Sequence, residues 1–150
     1  MPQTTNALSS KAAKVYISTD GSTFTDISGY GVSVEGGEQS RISGEAYTFD
    51  GDTAVITSGK LEPIEITVKS IYTEENTGIF ETARALFEAG TTLYLRWQPA
   101  GNASGDFIFT TSEGVITSFQ YPPIDAASGD PILCAFTLKV ARVTKTAVAI

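Results

Sequence analysis

The sequence contains no histidine, one cysteine and one tryptophan. Without histidine, neither a histidine-based catalytic triad, a histidine general base nor a histidine-liganded metal site can form. Cys134 alone can form neither an internal disulfide nor a multi-cysteine metal cluster. A carboxylate-dependent hydrolase needs two acids across a cleft, and the acids here are scattered through turns. We therefore expect no enzyme, no cofactor and no metal site.

Long apolar runs are also missing. No stretch of about 18 apolar residues occurs, so we expect no transmembrane helix. The polar first ten residues lack the basic start and apolar stretch of a secretory signal. Hydrophobic residues make up 41% of the 150 residues and charged residues 18%, which favours a packed domain over a disordered chain. We find no internal repeat, and we expect a single domain over residues 1–150.

Basic residues are few and unevenly placed, and the net charge is −7. All 17 acidic residues lie in residues 20–130 with five of the ten basic residues, so this part carries −12 and the two ends together carry +5. Phosphate binding needs clustered lysine or arginine, so we expect no nucleic-acid binding through a basic patch. An acidic surface repels DNA instead.

Alternation of apolar and polar residues predicts that most of the chain forms β-strands. In residues 64–72, for example, Ile64, Ile66 and Val68 point to one side and the residues between them to the other. We expect residues 106–111 and 115–121 to pair as a hairpin. The predicted strands are residues 15–18, 24–27, 30–34, 64–72, 92–98, 106–111, 115–121 and 132–143.

Residues 76–88 show the one convincing helical pattern. Asn76 or Thr77 can cap the start of this helix, and Gly90 can end it. Strands, one helix and further strands predict a mainly β protein, a β-sandwich or barrel with one packed α-helix and a long loop. The apolar residues of the helix form a single stripe, namely Ile79, Phe80, Ala83, Leu86 and Phe87.

Residues 35–60 are rich in glycine, and their apolar residues are scattered. A connection of this length inside a compact domain is usually functional or mobile, so we predict a long loop here. We also predict a flexible N-terminal arm at about residues 1–13 and a C-terminal arm at about residues 143–150. Exposed strand edges would then be free to pair with other copies of the chain.

Three phrases, in this order, resemble the tail tube proteins of long-tailed bacteriophages. They are ITSGKLEPIEITVKSIYTE at residues 56–74, FETARALFEAGTTLYLRWQPAGNASG at 80–105 and GVITSFQYPPIDAASGDPILCAFTLKV at 114–140. The resemblance covers roughly residues 14–143 and lies in the order of the phrases, not in any single residue. It implies a tail-tube-like β-sandwich that assembles with itself into stacked rings, commonly hexamers, with a continuous inner β-barrel.

The resemblance also implies a function and a location. Such tubes conduct DNA during ejection, so the chain would be a structural protein of the virion tail, assembled in the host cytoplasm. A tape-measure protein and tail-terminator or tip proteins would be further partners. DNA would slide past acidic side chains in the lumen without specific binding. The candidate lumen-facing acids are Glu62, Glu65 and Asp106.

In that family the long loop between early strands bridges to the next ring, a position that residues 35–60 take here. Basic residues near the C-terminus could then pair with loop acids of a neighbouring ring, with aromatic side chains as apolar anchors. The candidates for this inter-ring contact are Glu38, Arg41, Tyr47, Phe49, Asp50, Asp52, Lys139, Arg142 and Lys145.

Two alternatives remain open at this point. The same fold group includes the tube proteins of contractile injection or secretion machines. A different class is a monomeric β-sandwich that decorates a virion or binds carbohydrate, with Trp97 and tyrosines as sugar-stacking platforms. We expect both Trp97 and Cys134 to be core residues instead.

Overall fold

The structure, a computed structural model, describes residues 2–76 and 78–149. Within these residues the chain forms eleven strands, one α-helix and a short 3-10 helix, Ser10–Ala12. The helix, α1, is Ile79–Ala89. The strands are β1 Lys14–Ser18, β2 Thr25–Asp26, β3 Gly31–Gly36, β4 Arg41–Ala46, β5 Val55–Leu61, β6 Ile64–Ile71, β7 Tyr94–Gln98, β8 Phe107–Thr111, β9 Gly114–Gln120, β10 Leu133–Val140 and β11 Val143–Ala147.

The strands form two main sheets and a separate two-stranded hairpin. The five-stranded sheet has the order β11-β8-β7-β1-β2, and the four-stranded sheet has the order β3-β6-β10-β9. Strands β4 and β5 pair only with each other among the described residues. Neighbouring strands are antiparallel throughout these sheets. This mainly β architecture with one helix confirms the predicted fold class.

The core lies between the two main sheets, and its densest part is the pairing of β6 with β10. Alternate residues of these two strands stand opposite each other and are at most 3% exposed, as the alternating pattern predicted. The five-stranded sheet contributes Ile17 and Leu95 to the same cluster. Burying each large apolar side chain is worth about 1.5–3 kcal/mol, so these pairs dominate the stability of the subunit. The buried residues of β6 and β10 that stand opposite each other are Ile64, Ile66, Val68, Phe136, Leu138 and Val140.

Cys134 is also buried, on the core face of β10, with its Sγ 3.3 Å from Ser70 Oγ. Trp97 is half-buried, packs against the core and stacks on Phe109 with ring centroids 5.7 Å apart. Both residues therefore take the core positions that the sequence predicted. This packing is that of a core residue and not of a tryptophan standing free on the surface.

The helix packs its apolar stripe against the end of the four-stranded sheet. Ile79 and Ala83 are buried, and the Phe87 ring contacts Phe119 of β9 edge-on, with centroids 4.9 Å apart. On the polar side, Arg84 forms ion pairs with Glu81 and Glu88. A hydrogen bond from Arg84 lowers the pKa of the Glu81 carboxyl.

The predicted end of the helix is confirmed and the predicted start is wrong. Gly90 follows the last turn in the left-handed region, at φ 68°, where its backbone N–H donates to Phe87 O. At the start, Gly78 is the N-cap residue and offers no side-chain cap, so Asn76 does not cap the helix. Thr77, the alternative cap, lies outside the described residues.

Strands β8 and β9 do not pair, so the predicted hairpin of residues 106–121 is wrong. Strand β8 joins the five-stranded sheet beside β7, and β9 joins the four-stranded sheet, where Ile116 and Phe119 reach the core. The connection between them is held by two backbone hydrogen bonds between Leu93 and Gly114. Thr92 Oγ1 also donates to a Glu113 carboxylate oxygen at 2.7 Å.

The turn between β1 and β2 is organised by Asp20. Its carboxylate accepts hydrogen bonds from the backbone N–H groups of Ser22 and Thr23 and from Ser18 Oγ. These donors, the Thr23 N–H foremost, lower the pKa of Asp20 from 3.8 to about 2. The ionised carboxylate therefore holds this turn closed at neutral pH.

Candidate functional site: surfaces for assembly

The four-stranded sheet has a buried face and an exposed polar face. On the exposed face, Thr67 and Thr137 stand opposite each other with their hydroxyl oxygens 3.1 Å apart. Beside them, Lys69 Nζ of β6 lies 3.5 Å from a Glu35 oxygen of β3. Because β-strand side chains alternate, this face continues across the sheet, with hydroxyls and charged side chains along its middle and the part-exposed apolar side chains of Ile71, Leu133 and Val115 towards its margins.

The charges on this face balance. Glu65 of β6 is the register partner of Lys139 of β10, and Glu35 pairs with Lys69 on the neighbouring strands. Two acids thus stand against two lysines, although the whole chain carries −7. Asp106, another of the three lumen candidates, lies in the turn before β8, which belongs to the five-stranded sheet.

Lys139 also faces loop acids of its own chain. Together with Glu38, Glu62 and Glu65 it lines an open depression at the end of the four-stranded sheet. The structure therefore brings together two of the three lumen candidates and two of the inter-ring candidates. The carboxylate of Asp106 has a local task, because it accepts a hydrogen bond from the Ala103 N–H at 3.0 Å.

Both edges of the four-stranded sheet are open in the described chain. Strand β3 pairs only with β6, and β9 pairs with β10 apart from the single bridge between Gly114 and Leu93. The other side of each edge strand presents backbone N–H and C=O groups. Unpaired edges of this kind are templates for pairing with another chain.

Residues 41–61 form a projecting β-hairpin, so most of the long loop predicted at about residues 35–60 has regular strand structure. Gly44 pairs with Thr57 and Ala46 with Val55. The two strands are exposed except at Leu61, since they pack on no other sheet. The scattered glycines hid the strands of residues 41–46 and 55–61 from the sequence reading.

The two faces of the hairpin differ in chemistry. One face carries Ile42, Ala46, Val55 and Thr57 with Gly44 between them, and Lys60 near its root. The opposite face carries Arg41 and Glu45, and Arg41 Nη1 donates to the Gly59 carbonyl at 3.2 Å. A lone two-stranded hairpin is marginally stable in water, so an exposed apolar face favours a partner.

The tip of the hairpin carries the predicted aromatic anchors. Tyr47 is 72% exposed and Phe49 is fully exposed. Asp50 and Asp52 stand beside them, also exposed. The sequence analysis named these four residues but missed the exposed apolar residues of the strands, Ile42, Val55 and Ile56, which show no regular spacing.

The predicted C-terminal arm is largely a strand. Residues 143–147 form β11, which pairs with β8 at the edge of the five-stranded sheet, so the prediction of a free arm is wrong for them. Lys145 lies on this strand with its Nζ 3.9 Å from the centre of the Phe107 ring. Arg142 lies in the turn before the strand, where its backbone N–H donates to Ser112 Oγ. Lys139 and Lys145 therefore lie on different sheets.

Residues 2–76 and 78–149 contain no cluster of three or more acidic or cysteine side chains that could hold a metal ion. Over the same residues, no helix is long and apolar enough to cross a lipid bilayer.

No protein-family model matches the sequence, and no curated protein matches it. Solved structures do match its fold. A chain from the sheath–tube complex of an extracellular contractile injection system aligns with TM-score 0.74 and 20% identity over 96% of this chain and 94% of that chain. A chain from the cap that terminates the tube of the anti-feeding prophage aligns with TM-score 0.72 and 16% identity over 99% and 97%.

A third match comes from the tail of a gene transfer agent particle, which was refined with six-fold symmetry. Its chain aligns with TM-score 0.65 and 14% identity over 97% of this chain and the whole of that chain. At these identities the likeness concerns the fold, and it extends over nearly the full length of both partners in each case. The chain thus has the fold found in the tubes and tails of contractile injection systems and phage-like particles, as its resemblance to tail tube proteins predicted.

Proposed function

We propose that the protein is a structural subunit of a phage or phage-like tail tube, in which copies of the chain form stacked, hexameric rings. The observation that carries the proposal is the four-stranded sheet with one polar exposed face and two open edges, β3 and β9. The shared fold with tail and tube complexes supports it.

The order of the strands allows copies of the four-stranded sheet to join edge to edge in a closed ring. The two edges belong to different strands, so the contact between copies is head-to-tail, and such contacts close into rings or continue as helices. Four strands alternate in direction across the sheet. Strand β9 of one copy and β3 of the next, related by rotation, therefore meet antiparallel and continue the same alternation.

A ring of this kind encloses a channel. Six copies with four strands each make a barrel of roughly 24 strands, beyond the 16–18 at which porins already hold water. The exposed face of the four-stranded sheet lines the channel in this arrangement. The channel wall then carries the hydroxyls of Thr67 and Thr137, and Lys139 stands among the acids Glu62 and Glu65, so the wall offers DNA no basic patch to bind.

The hairpin supplies the contact along the tube axis. It projects from the domain, exposes the apolar side chains of Ile42 and Val55 on one face and carries Tyr47 and Phe49 at its tip. Burying such side chains against the neighbouring ring would stabilise stacking. A tape-measure protein, terminator and tip proteins would set the length of the tube and close its ends, in a particle assembled in the host cytoplasm.

The test is direct observation of assembly. The purified chain is concentrated and imaged by negative-stain electron microscopy, with mass photometry at low concentration as a control for the starting state. Six-fold rings or hollow tubes are the expected result. A monodisperse monomer at every concentration, including in the presence of a crowding agent, would contradict the proposal.

A tube of a contractile machine is the second candidate, since two of the solved structures above come from contractile or anti-feeding injection particles. In that case a sheath would surround the tube. The two candidates differ in whether the outer surface, including α1, is covered by a second protein. Co-expression with neighbouring genes followed by imaging separates a bare tube from a sheathed one.

A further inference from the structure

The core face of the five-stranded sheet continues beyond the cover of the four-stranded sheet. Trp97 of β7, Phe109 of β8 and Lys145 of β11 are register partners in one row across this face. Phe107 and Val143 lie on the same face, because each is two positions along its strand from a residue of this row, Phe109 and Lys145 respectively. We call these five residues the shelf.

Four residues of the shelf, all except Phe107, form one wall of an open groove of about 340 Å³. Gly37, Gln39 and Ile64, at the root of the hairpin, form the opposite wall. Phe107 is 51% exposed, which is high for a phenylalanine on the core face of a sheet. Stacked aromatic rings on the floor with a cation at the rim make a site for an aromatic side chain with an acid beside it.

The hairpin tip has the matching chemistry. Residues 45–55 contain three acids, Glu45, Asp50 and Asp52, and no base. Phe49 and Tyr47 stand among them without apolar neighbours of their own. The tip cannot reach the groove of its own chain as folded, because the hairpin projects away from the sheets and packs on neither. A second copy can reach it.

We propose that the shelf is the receptor for the hairpin tip of a second copy, with Phe49 inserted over Trp97 and Phe109 and with Asp50 beside Lys145. This inference rests on the proposed function, since it names where one ring holds the next. The contact joins two different surfaces, so each copy both gives a tip and receives one, and the contact propagates along an axis.

The first test is a disulfide cross-link in assembled protein. Asp50→Cys combined with Lys145→Cys places thiols on the tip and at the rim of the groove. The natural Cys134 is buried and gives little background. The matched control combines Asp50→Cys with Thr144→Cys, because Thr144 neighbours Lys145 in β11 but points to the opposite face of the sheet.

The expected result is a ladder of disulfide-linked oligomers from the Lys145→Cys pair and none from the Thr144→Cys pair. Tubes that form with no ladder, or with equal ladders from both pairs, overturn this inference and leave the proposed function standing. A wild-type chain that never assembles overturns both.

A charge exchange is the second test, because a cysteine variant can fail to assemble for other reasons. Lys145→Glu should raise the concentration needed for tube growth several-fold. Adding Asp50→Lys and Asp52→Lys to the same chain should restore growth, since each copy then presents a basic tip to an acidic rim. Loss without restoration, while the melting temperature stays unchanged, counts against the contact.

Discussion

Replacing Phe49 by serine separates the stability of the subunit from the stability of the tube. The side chain is fully exposed at the hairpin tip, so its removal should change the free energy of unfolding by no more than about 0.5 kcal/mol. In an assembled tube the same ring would be buried. Full burial of a phenylalanine is worth about 1.5–3 kcal/mol, which corresponds to roughly a 10- to 150-fold change in an association constant.

The expected outcome for Phe49→Ser is therefore an unchanged thermal melt with a rise of at least about tenfold in the concentration at which tubes appear. Light scattering gives that concentration, and electron microscopy confirms what has formed. Phe49→Tyr is the matched control, because it keeps the ring and should assemble as the natural chain does. Equal assembly of the serine variant and the natural chain would show that the tip stays in solvent, and stacking would need another explanation.

Three further predictions concern the hairpin, the core and the β1–β2 turn. Deleting residues 44–51 should leave single rings and a melting temperature within about 2–4 °C but stop elongation, as seen by microscopy; tubes of normal length would rule out the inter-ring role. Leu138→Ala should lower the free energy of unfolding in urea by about 2–5 kcal/mol, whereas Ile56→Ala, at a position 73% exposed, should change it by less than about 0.5; similar losses at both positions would contradict the assigned core. The pKa of Asp20 is lowered on folding, so its stabilisation is fully present above about pH 4, the unfolded value, and is lost as pH falls towards 2. Asp20→Asn should flatten the stability–pH curve in that window, and an unchanged curve would show that other carboxyls govern it.

Where the alternation of apolar residues was long, the sequence predicted the structure correctly. Strand β6 has buried residues at every second position, so the alternation in the sequence alone predicts which of its faces is buried. Strand β10 repeats the pattern, with Phe136 and Leu138 inward. In both cases the hydrophobic effect alone decides which side faces the core.

Pairing could not be predicted in the same way. Strands β8 and β9 are adjacent in sequence and separated by Ser112 and Glu113, a spacing typical of a hairpin. They belong to opposite sheets, and no local signal distinguishes that arrangement from a hairpin. The hairpin at residues 41–61 was missed for a related reason, because its strands bury nothing within the subunit and so show no strong hydrophobic pattern.

The candidate site was predicted only in part, because charge positions depend on the register of strands. The net charge of −7 suggested an acidic lumen. The register instead places Glu65 opposite Lys139 and brings Glu35 to Lys69. Composition gives the total charge of a chain, whereas tertiary pairing decides which surface carries it.

The division of β8 and β9 between two sheets has a consequence for biosynthesis. Each main sheet is completed by strands from distant parts of the chain: β10, residues 133–140, lies between β6 and β9, and β11 closes the other sheet last. A nascent chain that has emerged only as far as β9 contains both edge strands, β3 and β9, but it lacks β10, which pairs with both β6 and β9. In the proposed ring, such a polypeptide would lack the finished four-stranded unit that pairs with its neighbours, so assembly would wait until β10 has been translated.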